Sequence, residues 1–134
     1  MYKKVMVIDD NQIDLYVAEI SLKRNSFAAE VVIKNSAMAA LEYLKSAAET
    51  SEELPQLIFL DINMPEINGF EFLEAFEQLP TTIHNVCVIM MLSSSSDAED
   101  YKRAEENRFV TRFLNKPLMK EKLKELLLEL ECGR

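Results

Sequence analysis

Three carboxylates stand directly behind strand-like apolar runs in this chain. Val5-Met6-Val7-Ile8 leads into Asp9-Asp10, and Leu57-Ile58-Phe59-Leu60 leads into Asp61, followed by Ile62-Asn63-Met64-Pro65 and then Gly69. A third run, Val86 to Leu92, ends at Ser93, and a fourth, Phe109 to Leu114, is followed by Asn115-Lys116-Pro117. A lone Asp after a buried strand most often caps a helix or solvates a loop. Strand ends offering Asp-Asp, Asp, Ser and Lys together call for a shared purpose. Carboxylates gathered in a small volume repel one another unless a cation lies between them, and Mg2+ is the hard cation that oxygen ligands favour. The charges balance: −3 from Asp9, Asp10 and Asp61 against one Mg2+ and the Lys116 ammonium leaves a nearly neutral site able to receive a phosphoryl group. A carboxylate attacked by an in-line phosphoryl donor becomes an acyl phosphate. Asp61, alone at its strand end, is the nucleophile to expect, with Asp9 and Asp10 paired as metal binders.

These residues need a scaffold that brings strand ends together, and the chain alternates strand-like and helix-like stretches. Lys4 to Ile8, Glu30 to Lys34, Leu57 to Leu60, Val86 to Leu92 and Val110 to Leu114 read as strands. Between them, Asn11 to Arg24 carries Ile13, Tyr16, Val17 and Ile20 at helical spacing, which predicts that face to be inward. Ser36 is an N-cap for a helix lined by Ala37, Ala40, Leu41 and Leu44, and the polar stretch Glu49 to Pro55 reads as an exposed loop. Gly69 opens a helix with Phe70, Leu73, Phe76 and Leu79 inward, stopped by Pro80. Asp97 to Asn107 has only Ala98, Tyr101 and Ala104 as an apolar face and should be the most weakly anchored helix. Met119 to Leu130 closes the chain with Met119, Leu123, Leu126, Leu127 and Leu130 on one stripe and Leu128 opposite. A repeated β-α unit implies a parallel sheet wrapped by helices on both faces, with ligands beyond the carboxyl ends of its strands. His84, before the fourth strand, reads as a surface residue.

Composition bounds the function classes. A chain of 134 residues with two glycines and 49% apolar residues is expected to form one ordered domain, residues 1–134. Its net charge of −8 disfavours direct nucleic-acid binding. No window approaches the roughly 18 uninterrupted apolar residues of a membrane span, and no signal-peptide core is present, so a cytoplasmic protein with no membrane insertion is expected. Cys87 and Cys132 make neither a disulfide framework nor a metal site.

Asp9-Asp10, Asp61 with Met64-Pro65 and Gly69, the hydroxyl at Ser93, and Lys116-Pro117 closely resemble the receiver domain of two-component response regulators. The resemblance runs from Lys4 to about Leu130 and implies a flavodoxin-like α/β fold, a five-stranded parallel sheet of order 2-1-3-4-5 with five helices. It implies Asp61 as phosphoacceptor, Asp10 and Asp61 as direct Mg2+ ligands, Asp9 as a ligand through water, and the Asn63 carbonyl as a backbone ligand. Lys116 would pair with the phosphoryl group, and Pro117 would follow a cis peptide bond. Ser93 and Ser94 would bind the phosphoryl oxygens, Ser93 as switch hydroxyl and Phe113 as switch aromatic. Asn63 and Ser95 would tune the lifetime of the acyl phosphate. Phosphorylation adds charge and acceptor oxygens at Asp61. Ser93 would swing toward them, Phe113 would fill the vacated space, and the surface of the fourth helix, fifth strand and fifth helix would shift.

The resemblance also implies partners. The phosphoryl donor would be a histidine kinase or histidine phosphotransfer protein, and the signal would pass to a downstream protein target. With only Glu131-Cys132-Gly133-Arg134 beyond the last helix, a stand-alone regulator is expected, monomeric or weakly dimeric. Many receivers carry Thr and Tyr at the positions of Ser93 and Phe113. Phe has no hydroxyl to anchor an outward rotamer, so an inward Phe113 should be well populated before phosphorylation. Two other readings remain. A phosphatase of the haloacid dehalogenase type also uses a strand-end Asp with Lys and Mg2+, but wants a second Asp where Asn63 stands. A receiver-like binding module would dispense with phosphorylation, against which stand all three carboxylates and Lys116.

Overall fold

The strands and helices follow from where apolar residues recur, and the computed structural model describes residues 1–50, 53–94 and 97–132, with side chains to 129. The elements are β1 (Tyr2–Ile8), α1 (Gln12–Arg24), β2 (Ala28–Lys34), α2 (Ala37–Ala47), β3 (Leu57–Asp61), α3 (Gly69–Glu77), α4 (Thr81–Val86), β4 (Val88–Ser93), α5 (Ala98–Glu106), β5 (Val110–Asn115) and α6 (Lys120–Cys132). All strand pairings are parallel and the order is β2-β1-β3-β4-β5. Every residue of β3 is buried, as a central strand covered on both faces must be.

Two apolar layers flank the sheet. On one side Met6, Ile8, Ile58, Leu60, Ile89 and Met91 pack against α2 and α3. On the other, Val5, Val7, Leu57, Phe59, Met90 and Leu92 pack against α1 and α6. The alternation along each strand is the pleat itself: neighbouring side chains point to opposite faces, and both faces are apolar.

Several expectations require correction, among them the exposed loop at Glu49 to Pro55, where Leu54 and Pro55 are buried. The sequence predicts five helices, and a sixth, the single-turn-and-a-half α4, occupies the stretch before β4, so Val86 ends a helix instead of opening a strand. His84 on α4 is half-buried, not a surface residue: its ring lies 5.0 Å from that of Phe76 and 4.8 Å from that of Phe109, and its Nε2 is 2.7 Å from the Phe76 carbonyl oxygen. A further correction concerns α1. Its inward residues are Leu15, Ala18 and Leu22, whereas Ile13, Tyr16, Val17 and Ile20 are exposed by 72%, 54%, 47% and 53%. The helix carries two apolar stripes, and periodicity alone does not rank them. The way the chain leaves β1 does, because Asn11 caps the helix and fixes its rotation about its axis. On the last helix, Leu123 and Leu126 are buried and Leu128 is exposed, while Met119, expected on the inward stripe, precedes the helix and is exposed.

Candidate functional site at the carboxyl edge of the sheet

β1 and β3 are neighbours with Ile8 opposite Leu60, so the residues that follow arrive side by side at the carboxyl edge. One oxygen from each of Asp9, Asp10 and Asp61 lies within 4.8 Å of the others. Asp9 and Asp61 are buried and Asp10 is exposed. Lys116 reaches the same place from the end of β5. Its backbone N–H donates to the Ser93 carbonyl at 2.9 Å, and its peptide bond to Pro117 is cis. Its ammonium donates to Asp9 Oδ2 at 2.6 Å and to Asp14 Oδ2 at 2.9 Å, and stands 3.2 Å from Asp61 Oδ1.

The electrostatics follow from this crowding. Asp61 is pushed up to about 6, first by burial and then by the repulsion of Asp9, with the attraction of Lys116 opposing both. Burial works against the charge on Lys116, yet hydrogen bonds to Asp9 and Asp14 and the attraction of Asp61 outweigh it, and its basicity rises above the ordinary lysine value. Three carboxylates against one ammonium leave net negative charge in an all-oxygen donor set, with one exposed member at its mouth, and this fits a hard divalent cation such as Mg2+. The donor set contains no sulfur or imidazole, which argues against a zinc or copper site.

Gly69 matters through close approach. A Cβ at this position would lie 2.6 Å from the Asp61 carbonyl oxygen and 2.9 Å from Ile62 Cα. The Gly69 N–H donates to the Ile62 carbonyl at 2.8 Å, so the start of α3 rests on the backbone that carries Asp61. Asn68 caps this helix with a reciprocal box: its side chain accepts from Glu71 N–H, and its own N–H donates to Glu71 Oε1, both at 2.9 Å.

The remaining predicted positions surround this cluster. Asn63 is exposed on the loop between β3 and α3. Ser93, fully buried, ends β4 one residue beyond Leu92, the partner of Asp61, and Ser94 is exposed. Phe113 on β5 is half-buried, opposite Met91, with its ring 5.4 Å from Tyr101 in an edge-on arrangement. Ser95 lies outside the described residues. One member of the constellation, Asp14, escapes the sequence reading altogether. The signal available for it was an acidic residue three positions after an N-cap, on a helix that starts at the carboxylate pair. Cys87 is buried and its thiol is pushed up to about 12 by burial, an inert packing residue.

A doubly wound parallel sheet with an acidic cluster and a lysine beyond its carboxyl edge defines the flavodoxin-like class of α/β proteins. Within that class, the family model of the response regulator receiver domain matches residues 5–128, and the chain belongs to this family. Its members are signalling phosphoacceptors, not classical enzymes, which decides between the two aspartate-nucleophile families that the strand-end residues raise. A two component response regulator from Cytophaga hutchinsonii superposes with a TM-score of 0.88 at 29% identity, covering 97% of each chain. A response regulator receiver protein from Dyadobacter fermentans DSM 18053 gives a TM-score of 0.83 at 34% identity, covering 93% of this chain and 94% of its own. The probable methanogenesis regulatory protein FilR2 of Methanothrix harundinacea (strain 6Ac) is 27% identical over 127 residues, covering 95% of this chain and 80% of that protein. No described helix is long and apolar enough to cross a membrane.

Proposed function

We propose that this receiver domain accepts a phosphoryl group on Asp61 from the phosphohistidine of a histidine kinase or histidine phosphotransfer protein in the cytoplasm. The observation that carries the proposal is the position of the Lys116 ammonium, 3.2 Å from Asp61 Oδ1 and hydrogen-bonded to Asp9. A buried carboxylate with a fixed cation beside it is set to place negative charge where a phosphoryl oxygen can be neutralised. Asp9, Asp10 and Asp61, with the Asn63 carbonyl, would hold Mg2+, which when bound neutralises phosphoryl oxygens as charge develops on them. An Asp61 carboxylate oxygen attacks phosphorus, the P–N bond to the donor histidine breaks, and its electron pair stays on the imidazole nitrogen. Lys116 holds a phosphoryl oxygen through its N–H donors. Ser93 and Ser94 would offer hydroxyls to the phosphoryl oxygens, and Asn63 and Ser95 would tune the lifetime of the acyl phosphate.

The output surface in this reading is α5, β5 and α6, where Tyr101 is half exposed and meets Phe113 edge-on. A downstream protein reads the change in that surface when Ser93 turns to the phosphoryl group and Phe113 moves inward. The test is incubation with acetyl phosphate and Mg2+, followed by intact mass and by phosphate release. Addition of one phosphoryl group, absent without Mg2+ and absent in Asp61→Asn, is the expected result. Inertness of the folded wild type would leave a binding module, and sustained turnover of simple phosphate esters would indicate a phosphatase.

A further inference from the structure

Two helices in this chain start with the same cap and finish it differently. On α3, Asn68 and Glu71 bond reciprocally, and the acidic residue three positions after the cap satisfies the cap's own N–H. On α1, Asn11 accepts from Asp14 N–H at 3.0 Å, but the Asn11 N–H donates to Asp9 Oδ1 at 2.9 Å instead of to Asp14. Asp9 therefore takes over half of the capping box. The Asp14 carboxylate is released from it and turns to Lys116, with Oδ2 at 2.9 Å from the ammonium.

Lys116 thus has three carboxylate partners, Asp9, Asp14 and Asp61. Asp9 and Asp61 belong to the acidic cluster with Asp10, and Asp14 stands outside it. A divalent cation in the cluster draws on the same oxygens that hold the ammonium, and two cations sharing Asp9 and Asp61 repel each other. Asp14 is the one partner that the metal does not claim. An ammonium has three N–H donors on a flexible stem, so it can keep Asp14 while giving up part of its hold on the others.

We infer that Asp14 is a positioning residue for Lys116: it holds the ammonium at the rim of the site when a divalent cation occupies Asp9, Asp10 and Asp61, so that metal and lysine are present together before the phosphoryl group arrives. The inference rests on the reading of the cluster as a cation site. Without Asp14, Lys116 falls back on Asp9 and Asp61 and competes with the metal for them. Asp14 also adds a negative charge of its own, and a purely long-range attraction for the metal would act whether or not Lys116 is present. The two origins separate in a double-mutant cycle.

The experiment is calorimetric titration of Mg2+ into the wild type, Asp14→Asn, Lys116→Met and the double variant, each checked for folding by circular dichroism. Because Asp14 is 41% exposed, Asp14→Asn should weaken Mg2+ binding by about two- to fivefold, the range of a half-exposed ion pair. In the Lys116→Met background the same substitution should have a clearly smaller effect. Equal weakening in both backgrounds, or none in the wild type, overturns the inference while leaving the cation site standing. A wild type that binds no Mg2+ overturns the functional reading and this inference with it. If Lys116→Met does not fold, the Lys116 NζH3+ resonance of the Mg2+-loaded protein decides. Slow exchange with water in the wild type and loss of the signal in Asp14→Asn supports the role, and an unchanged signal removes it.

Discussion

α3 and α5 are nine residues each and follow adjacent strands β3 and β4 of one parallel sheet, yet they are held in opposite ways. α3 buries Gly69, Phe70, Phe72, Leu73 and Phe76, whereas α5 buries only Ala104. Phe76 stands at the centre of a ring cluster, 6.1 Å from Phe72, 5.2 Å from Phe109 and 5.0 Å from His84. α5 instead touches its surroundings at its edges: Arg103 lies 3.9 Å above the Phe70 ring, and Tyr101 leans on Phe113. The burial of apolar area, not helix length or capping, separates a fixed element from one free to shift. The fixed one rests on the backbone that carries the nucleophile, and the loosely held one forms part of the proposed output surface.

The largest expected effect attacks the anchored side. Phe76→Ala should cost about 3–5 kcal/mol of folding free energy in chemical denaturation, the range for deleting a buried ring. A loss below about 1 kcal/mol would remove the distinction between the two helices. Next comes the cost that burial and the neighbouring carboxylates of Asp9 and Asp10 impose on Asp61. Its folded value of about 6 lies above the ordinary 3.8, so the folded state takes up a proton before the unfolded chain does. In metal-free protein this group therefore adds stability as pH falls through about 6, fully gained near the unfolded value, and loses it as pH rises. At neutral pH Asp61→Asn should stabilise the metal-free protein, by about 3 kcal/mol at most at roughly 1.4 kcal/mol per pKa unit, and the gain should shrink on acidification. Thermal melts across pH in the presence of a chelator check the sign.

Gly69→Ala places a methyl against the Asp61 carbonyl and should destabilise by about 1–3 kcal/mol, the range for overpacking. Because the displaced atoms carry the nucleophile, phosphoryl incorporation should fall more steeply than stability. Equal losses in both would detach α3 from the site. The smallest effect belongs to α5. Tyr101→Ala should change stability by less than about 1 kcal/mol, as for a half-exposed ring, while shifting the aromatic NMR signals of Phe113. A single solvent-exposed Phe113 environment in the unphosphorylated wild type would overturn the inward state expected from its missing hydroxyl. Amide exchange on α5 should also outpace that on α3.

Much of the fold was legible because β3 and its neighbours are short apolar runs ended by polar residues, and a strand covered on both faces admits little else. The carboxylates and Lys116 were legible for the same reason: the position at a strand end is set by the strand, and the sheet's carboxyl edge collects such positions. α5 was recognisable as weakly anchored from its few apolar residues. Tertiary structure alone decided the rest. The exposed stripe of Ile13, Tyr16, Val17 and Ile20 and the buried one of Leu15, Ala18 and Leu22 have equal claims by periodicity. Their order depends on how Asp9 and Asn11 pin the first turn of α1. His84 became a core-edge ring only when α4 brought it between Phe76 and Phe109. Asp14 joined the site because a lysine 102 positions away reaches it. Local pattern governs which residues can lie at an edge or on a face, and long-range packing governs which of the permitted faces and pairs are used, since those energies exist only once distant segments meet.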